Sequence, residues 1–157
     1  MLKKMEKEVF DMEIERKYLV KRLPEQLSQY TCLEIEQAYL NREPVVRIRR
    51  QNEEYILTYK GSGMMIREEY NLPLDKASYE HLREKADGKI IKKKRYIIPI
   101  EGGLKVELDV FEGVHQGIVL AEVEFPDEAA CYAFHPLDWF GEDVTMKEEY
   151  HNSNMSK

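Results

Sequence analysis

The clearest pattern in the chain is an alternation of apolar and charged residues with a period of two. Residues 104–110, for example, read Leu-Lys-Val-Glu-Leu-Asp-Val. Because successive side chains of a β-strand point to opposite faces, this alternation predicts strands with one apolar and one charged face. The pattern predicts eight strands, at residues 13–20, 35–40, 45–51, 54–60, 65–72, 92–100, 104–111 and 118–125.

Two other segments have the spacing of amphipathic helices. The first is expected to run from Asp75 to Gly88, and the second from an N-cap at Asp127 to about Leu137. A last short helix is expected after Gly141. Strands and helices together predict an α+β fold.

The polar faces of the predicted strands carry full charges of both signs, whereas a solvent-facing sheet usually mixes charged and neutral residues. Closing eight antiparallel strands into a barrel would remove the exposed edges and bring these charged faces together inside. A charged interior is costly unless it holds a charged ligand. We therefore expect a closed eight-stranded antiparallel β-barrel, a tunnel with a charged interior, flanked by a few helices that cover part of its apolar outside.

Composition narrows the classes of partner. The 157 residues fit one domain, and 30 acidic against 24 basic residues argue against non-specific nucleic-acid binding. The two cysteines, Cys32 and Cys131, lack metal-ligand spacing, and no apolar run reaches the roughly 20 residues that span a bilayer. We expect a cytoplasmic protein with no nucleic-acid or membrane partner, and the sequence leaves its oligomeric state open.

The charged residues of the inward faces fall into two groups. The cations are Lys17, Arg47, Arg49, Lys60, Lys93 and Arg95. The carboxylates form pairs two residues apart, namely Glu13 with Glu15, Glu107 with Asp109, and Glu122 with Glu124. Arginine and lysine suit phosphate oxygens, and Mg²⁺ is usually shared between carboxylates and substrate phosphates. The combination is therefore the expected composition of a metal–polyphosphate site.

The segment Glu13-Ile-Glu15-Arg-Lys17 resembles the Glu-x-Glu-x-Lys signature of the CYTH domain, or triphosphate tunnel metalloenzyme, superfamily. Further motifs follow in that family's order: Arg47-Ile-Arg49, Lys60-Gly61, Arg67-x-Glu69, Lys93-Lys-Arg95-Tyr96, Glu107-Leu-Asp109 and Ala121-Glu122-Val-Glu124-Phe. The resemblance covers residues 12 to about 152.

This resemblance implies a tunnel that contains Mg²⁺ or Mn²⁺ and binds tripolyphosphate or another triphosphate-containing small molecule. By similarity the metal ligands would be Glu13, Glu15, Glu122 and Glu124, which together with Lys17 form the expected catalytic set. The triphosphate would be bound by Lys17, Arg47, Arg49, Lys60, Lys93 and Arg95. Glu69, Glu107 and Asp109 would assist the second metal or orient the cations.

Three activities in this family are relevant: inorganic triphosphatase, thiamine triphosphatase and class IV adenylyl cyclase. The cyclases carry His-Phe a few residues upstream of the first glutamate, where this chain has Lys7 and Glu8. Inorganic triphosphate needs only the charged tunnel, so the sequence favours its metal-dependent hydrolysis, with nucleoside triphosphates as slower substrates. A non-catalytic polyphosphate-binding module is the alternative from another class.

The first glutamate motif usually lies at the start of the family's chains. Here it follows Met12, so residues 1–11 are expected to be an N-terminal extension or the product of a mis-set translation start. The expected organisation is a single domain over residues 1–157 with its core at 12–152.

Overall fold

The computed structural model describes residues 12–157, which form one antiparallel sheet of nine strands. The strands are β1 (Met12–Val20), β2 (Thr31–Arg42), β3 (Val45–Gln51), β4 (Glu54–Lys60), β5 (Ile66–Leu74), β6 (Asp87–Pro99), β7 (Lys105–Glu112), β8 (Val119–Glu124) and β9 (Phe140–Asp143). The described residues also form the helices α1 (Lys76–Arg83), α2 (Glu128–Ala133) and α3 (Asn152–Met155), and short 3₁₀ helices at Leu27–Gln29, Glu101–Gly103, Gly113–His115 and Glu148–Tyr150. None of the helices in this part of the chain is long and apolar enough to cross a membrane.

Eight of the strands close into a barrel in the order β5-β4-β3-β2-β6-β7-β8-β1. Closure is made by the start of β1, where Met12 pairs with Glu68 and Ile14 with Ile66 of β5. The rest of β1 pairs with β8 on one side, while β9 takes the place of β5 on the other. The predicted closed eight-stranded antiparallel barrel is confirmed.

The apolar faces of the strands point outward and are covered in two places. Helix α1 places Tyr79 against Ala38 of β2 and Ile48 of β3. Near β1, β7 and β8, a larger cluster includes Tyr18, Leu108 and Cys131, the last of which lies on α2. Burial of these side chains stabilises the barrel from outside, since each fully buried large apolar side chain contributes about 1.5–3 kcal/mol.

One end of the barrel interior is apolar and is closed by residues 150–156, which we call the closing segment. Tyr39, Ile91, Phe111 and Leu120 line this end and pack with Met155 of the closing segment.

Gly88 permits the close approach of the closing segment to β6. Its φ is +73°, and a Cβ at this position would collide with Ser156 O and with Arg42 Nη2. The neighbouring Lys89 N–H donates to Ser156 O at 2.5 Å. A glycine is therefore required here both by backbone conformation and by space.

Strands β2 and β6 begin at Thr31 and Asp87, earlier than the predicted residues 35 and 92, and the structure differs from the predicted elements at three further points. A ninth strand forms at Phe140–Asp143 because β1 offers it a free edge, although these residues lack apolar alternation. The helix expected from Asp127 to about Leu137 ends at Ala133, and Phe134 is extended with φ −70° and ψ 132°. The helix expected to stop at Gly88 ends at Arg83, because β6 already begins at Asp87.

Candidate active site

The charged faces of the strands enclose a cavity of about 230 Å³ inside the barrel. Eleven of the thirteen residues predicted for the site line it: Glu13, Glu15, Lys17, Arg47, Arg49, Lys60, Glu69, Arg95, Glu107, Glu122 and Glu124. They come from β1, β3, β4, β5, β6, β7 and β8. Regular alternation along each strand therefore concentrates charges of both signs in one chamber.

The other two predicted residues, Lys93 and Asp109, do not line the cavity. Both side chains are completely buried and form an ion pair, with Lys93 Nζ 2.7 Å from Asp109 Oδ2. Asp109 also accepts from Arg95 Nε at 2.7 Å and from Arg95 Nη2 at 2.8 Å. Asp109 therefore acts on the cavity through Arg95, whose guanidinium it holds in place.

The four predicted metal ligands lie on the neighbouring strands β1 and β8, which we call the carboxylate wall. In the β-ladder Glu15 is directly opposite Glu124, and Lys17 is opposite Glu122. Like charges at opposed positions destabilise a sheet unless a cation lies between them. Among the described residues the side-chain carboxyl of Glu15 has no hydrogen bond or salt bridge, and burial, Glu122 and Glu13 raise its pKa from 4.5 to about 8.

Lysines hold two other carboxylates of this wall. Lys60 Nζ is 2.9 Å from Glu13 Oε1, and Lys17 Nζ is 3.4 Å from Glu122 Oε1. Burial acts to raise the pKa of both carboxyls, but Lys60 holds that of Glu13 below its usual value, and Lys17 and Arg95 hold that of Glu122 well below. These two carboxylates are therefore ionised near neutral pH.

Arg95 is surrounded by carboxylates. Besides Asp109, its guanidinium contacts Glu107 through Nη1, and Nη2 lies 3.7 Å from Glu122 Oε2. Although burial acts to lower the pKa of Arg95, Asp109 and Glu107 raise it well above its ordinary value. Arg95 is thus a fixed and compensated charge.

The two arginines of β3, which we call the arginine wall, have a different environment. The ladder partners of Arg47 are Tyr39 and Thr58, and those of Arg49 are Gln37 and Ile56, so all four neighbours are uncharged. Within residues 12–157, neither arginine has a carboxylate oxygen within 4.0 Å. Arg47 Nε is buried without a hydrogen-bond partner among the described residues. An unpaired buried cation donor of this kind suits an anionic ligand.

Several lining residues were not among those predicted for the site. Arg67 belongs to the Arg67-x-Glu69 motif but was given no role there, although it shares the inward face of β5 with Glu69 and lines the cavity. Its Nε is buried without a hydrogen-bond partner in the described part of the chain. Asn152 and Ser153 also line the cavity, but they arrive through the docking of the closing segment, for which the sequence has no local signal.

The donor set of the carboxylate wall fits a hard divalent cation. Four carboxyl groups supply only oxygen ligands, and the mutual repulsion around Glu15 is what a bound cation would relieve. As the side chains stand, no group of three or more His, Cys, Asp or Glu among the described residues could hold a metal ion. Glu13 and Glu122 are engaged by Lys60 and Lys17 instead.

Comparisons with known proteins agree on one family. The CYTH domain profile matches residues 11–157. The chain is 37% identical over 147 residues to an inorganic triphosphatase of Nitrosomonas europaea, covering 92% of this chain and 96% of that protein. It is 38% identical over 124 residues to an inorganic triphosphatase of Acetivibrio thermocellus, covering 76% of each.

Solved structures give the same result for the fold. An inorganic triphosphatase structure at 35% identity superposes with a TM-score of 0.69, covering 92% of this chain and 93% of that one. A Hippeastrum protein, described as a putative adenylyl cyclase with a dominant triphosphatase activity, superposes with a TM-score of 0.59 over 76% of this chain and 82% of that one. At 16% identity, the second similarity concerns the fold alone.

Proposed function

The chain belongs to the CYTH domain family, and from this membership we propose that it is a divalent-metal-dependent hydrolase of the terminal phosphoanhydride bond of inorganic triphosphate. The two relatives named inorganic triphosphatase, at 37% and 38% identity, support the choice of substrate. Nucleoside triphosphates are proposed as slower substrates.

One observation of the structure carries the proposal: uncompensated arginines and crowded carboxylates line the same cavity. A ligand that satisfies both walls must present anionic oxygens to Arg47 and Arg49 and a shared cation to the carboxylates. A metal–triphosphate complex has this charge distribution. It also has little apolar surface, which agrees with a cavity lined mainly by charged side chains.

Binding begins with an exchange of partners in this proposal. The lysines that hold Glu13 and Glu122 are also close enough to the cavity to contact a phosphate. When Lys17 and Lys60 move to phosphate oxygens, the two carboxylates are freed. Glu13, Glu15, Glu122 and Glu124 would then hold the metal, Mg²⁺ or Mn²⁺, which when bound supplies charge neutralisation and a water of lowered pKa.

The reaction is in-line attack of water on the terminal phosphorus. The bond between this phosphorus and the bridging oxygen breaks, so that orthophosphate and pyrophosphate are released from tripolyphosphate. Arg47, Arg49 and Arg95 donate hydrogen bonds to the non-bridging oxygens and stabilise the charge that develops on them and on the leaving group. The barrel holds these donors in fixed positions before the substrate arrives.

We also propose that the protein works in the reducing cytoplasm. This is supported by the two free cysteines, of which Cys32 is exposed and Cys131 is buried.

The test is phosphate release from tripolyphosphate and from ATP, each with Mg²⁺, Mn²⁺ or EDTA, beside an assay for cyclic AMP. We expect fast metal-dependent hydrolysis of tripolyphosphate, weak turnover of ATP and no cyclic AMP. Production of cyclic AMP would indicate a cyclase. Tight binding of tripolyphosphate with no turnover in any metal would indicate a binding module.

A further inference from the structure

Gln37 is a completely buried polar residue on the inward face of β2, and it is the ladder partner of Arg49. Its side-chain oxygen accepts two hydrogen bonds from the guanidinium, from Nε at 3.1 Å and from Nη2 at 2.8 Å. Its side-chain nitrogen donates to Tyr39 Oη at 3.3 Å. Two donors on one oxygen fix the plane of a guanidinium, which has a rigid fork geometry.

This contact leaves the opposite edge of the guanidinium available. Nη1 of Arg49 has no hydrogen bond to the described residues, and the side chain lines the cavity. Burial, Arg47 and Arg95 lower the pKa of Arg49 to about 9, so the group is still charged at neutral pH. The free edge therefore presents a full positive charge to the chamber.

The choice of an amide at position 37 is chemically informative. Glutamate has the same shape and would bind the same guanidinium edge more strongly, as Asp109 does with Arg95. A carboxylate would also neutralise the arginine and compete with an anionic ligand. Glutamine orients the guanidinium without cancelling its charge.

We propose that Gln37 is a positioning residue that sets the plane of Arg49 for the triphosphate while leaving its charge uncompensated. This assignment rests on the proposed function, because it requires a polyanionic substrate. Gln37 touches neither substrate nor metal and acts entirely through Arg49. Preorganisation of this kind increases affinity by removing the entropic cost of ordering a long side chain on binding.

The decisive variant is Gln37→Glu, measured for tripolyphosphate affinity by titration calorimetry in EDTA, for kcat and KM, and for thermal stability. We expect Kd and KM to rise about 10-fold or more, with an unchanged or higher Tm, because the new carboxylate pairs with Arg49. A residue with a merely structural role would give the opposite result, a lower Tm with unchanged affinity. Gln29→Glu, an exposed position with the same change of charge, is the matched control.

Gln37→Met keeps the volume and removes the acceptor. We expect a rise in Kd of about 3- to 10-fold, since Arg49 keeps its charge and loses its orientation. A double-mutant cycle then separates action through Arg49 from a general effect of charge. In an Arg49→Met background, Gln37→Met should change Kd by less than about 2-fold.

The outcomes distinguish this assignment from the proposed function. If the wild type binds and hydrolyses tripolyphosphate and Gln37→Glu matches it in Kd, the assignment of Gln37 is overturned alone. The assignment is also overturned if Gln37→Met raises Kd as much in the Arg49→Met background as it does in the wild type. If the wild type neither binds nor hydrolyses tripolyphosphate, the proposed function is overturned and the assignment fails with it.

Discussion

The arginine wall and the carboxylate wall line one cavity, but the side chains beside their charges differ. The arginines have uncharged neighbours, whereas the carboxylates have charged ones. Strand β3 lies across the barrel from β8, four strands away in either direction. Arg47 and Arg49 are flanked only by uncharged ladder partners. On the other side Glu122 is flanked by Lys17 and Glu107, and Glu15 is paired with Glu124.

The difference shows that a charged interior contains two kinds of charge. Charges with counter-ions, such as Arg95 with Asp109, hold the barrel together, and removing one partner leaves the other buried and unpaired. Charges without counter-ions, such as Arg47, cost stability and are available to a ligand. Loss of Arg47 should therefore weaken ligand binding with little loss of stability, whereas loss of Arg95, which is also proposed to bind phosphate, should reduce stability as well.

The largest expected effect comes from the carboxylate wall. Glu15→Gln removes one charge from the proposed metal site, and we expect metal-dependent kcat on tripolyphosphate to fall by about 1,000-fold or more. Phosphate release in Mg²⁺ measures this. The control is Glu34→Gln, an exposed residue of β2. Retention of wild-type turnover by Glu15→Gln would show that the carboxylate wall is not the catalytic half.

The second variant tests the compensated charges. Arg95→Met leaves Glu107 and Asp109 without their arginine, and we expect the free energy of unfolding to fall by about 3–5 kcal/mol. Urea denaturation in EDTA measures this loss. Arg47→Met is the matched comparison and should change stability by less than about 1 kcal/mol, or increase it. Equal losses in the two variants would contradict the distinction between compensated and uncompensated charges.

The third variant tests the arginine wall through binding. Arg47→Gln should raise KM and Kd for tripolyphosphate by about 10- to 30-fold, because charge-assisted hydrogen bonds to phosphate are lost. Titration of tripolyphosphate at low and high salt measures the affinity, and the variant should show a weaker dependence on salt than the wild type. Wild-type affinity in Arg47→Gln would mean that the phosphates bind elsewhere.

The smallest effect concerns pH in the absence of metal. The pKa of Glu15 rises from 4.5 to about 8 on folding, so the folded protein binds more protons than the unfolded chain between these values. The contribution of this group to stability is fully present below about pH 4.5 and is lost as the pH rises to about 8.

Urea denaturation in EDTA across this range checks the prediction. Relative to Glu15→Gln, the wild type should become progressively less stable as the pH rises from 4.5 towards 8. Parallel pH profiles for the two proteins would contradict the assigned environment of Glu15.

Much of the cavity could be predicted from sequence because alternation fixes the face of every residue on a strand. Alternation does not fix how far along the barrel axis a side chain lies. Lys93 has the predicted inward face of β6, yet it lies at the level where the closing segment packs, with Asn152 Oδ1 3.3 Å from its Nζ. The surroundings of Lys93 therefore depend on how the closing segment docks. This is a long-range contact that no periodic pattern in the sequence predicts.

Strand β9 was absent from the predicted strands for a similar reason. Its four residues, Phe140–Asp143, are too few and too polar for a propensity signal, and they become a strand only because β1 has a free edge beside them. The loss of the last turns of the helix after Asp127 follows from tertiary packing, since Phe134 packs against Tyr18, Phe125 and Phe140.

The pairing of β1 also has a consequence for biosynthesis. The strand that carries Glu13 and Glu15 leaves the ribosome early, but β8, which carries Glu122 and Glu124, begins only at Val119. At about 5–20 residues per second, the nascent chain spends seconds with its first carboxylates in water and its barrel unclosed. The proposed metal site is thus completed in one late step, and chains interrupted before β8 would carry Glu13 and Glu15 without Glu122 and Glu124.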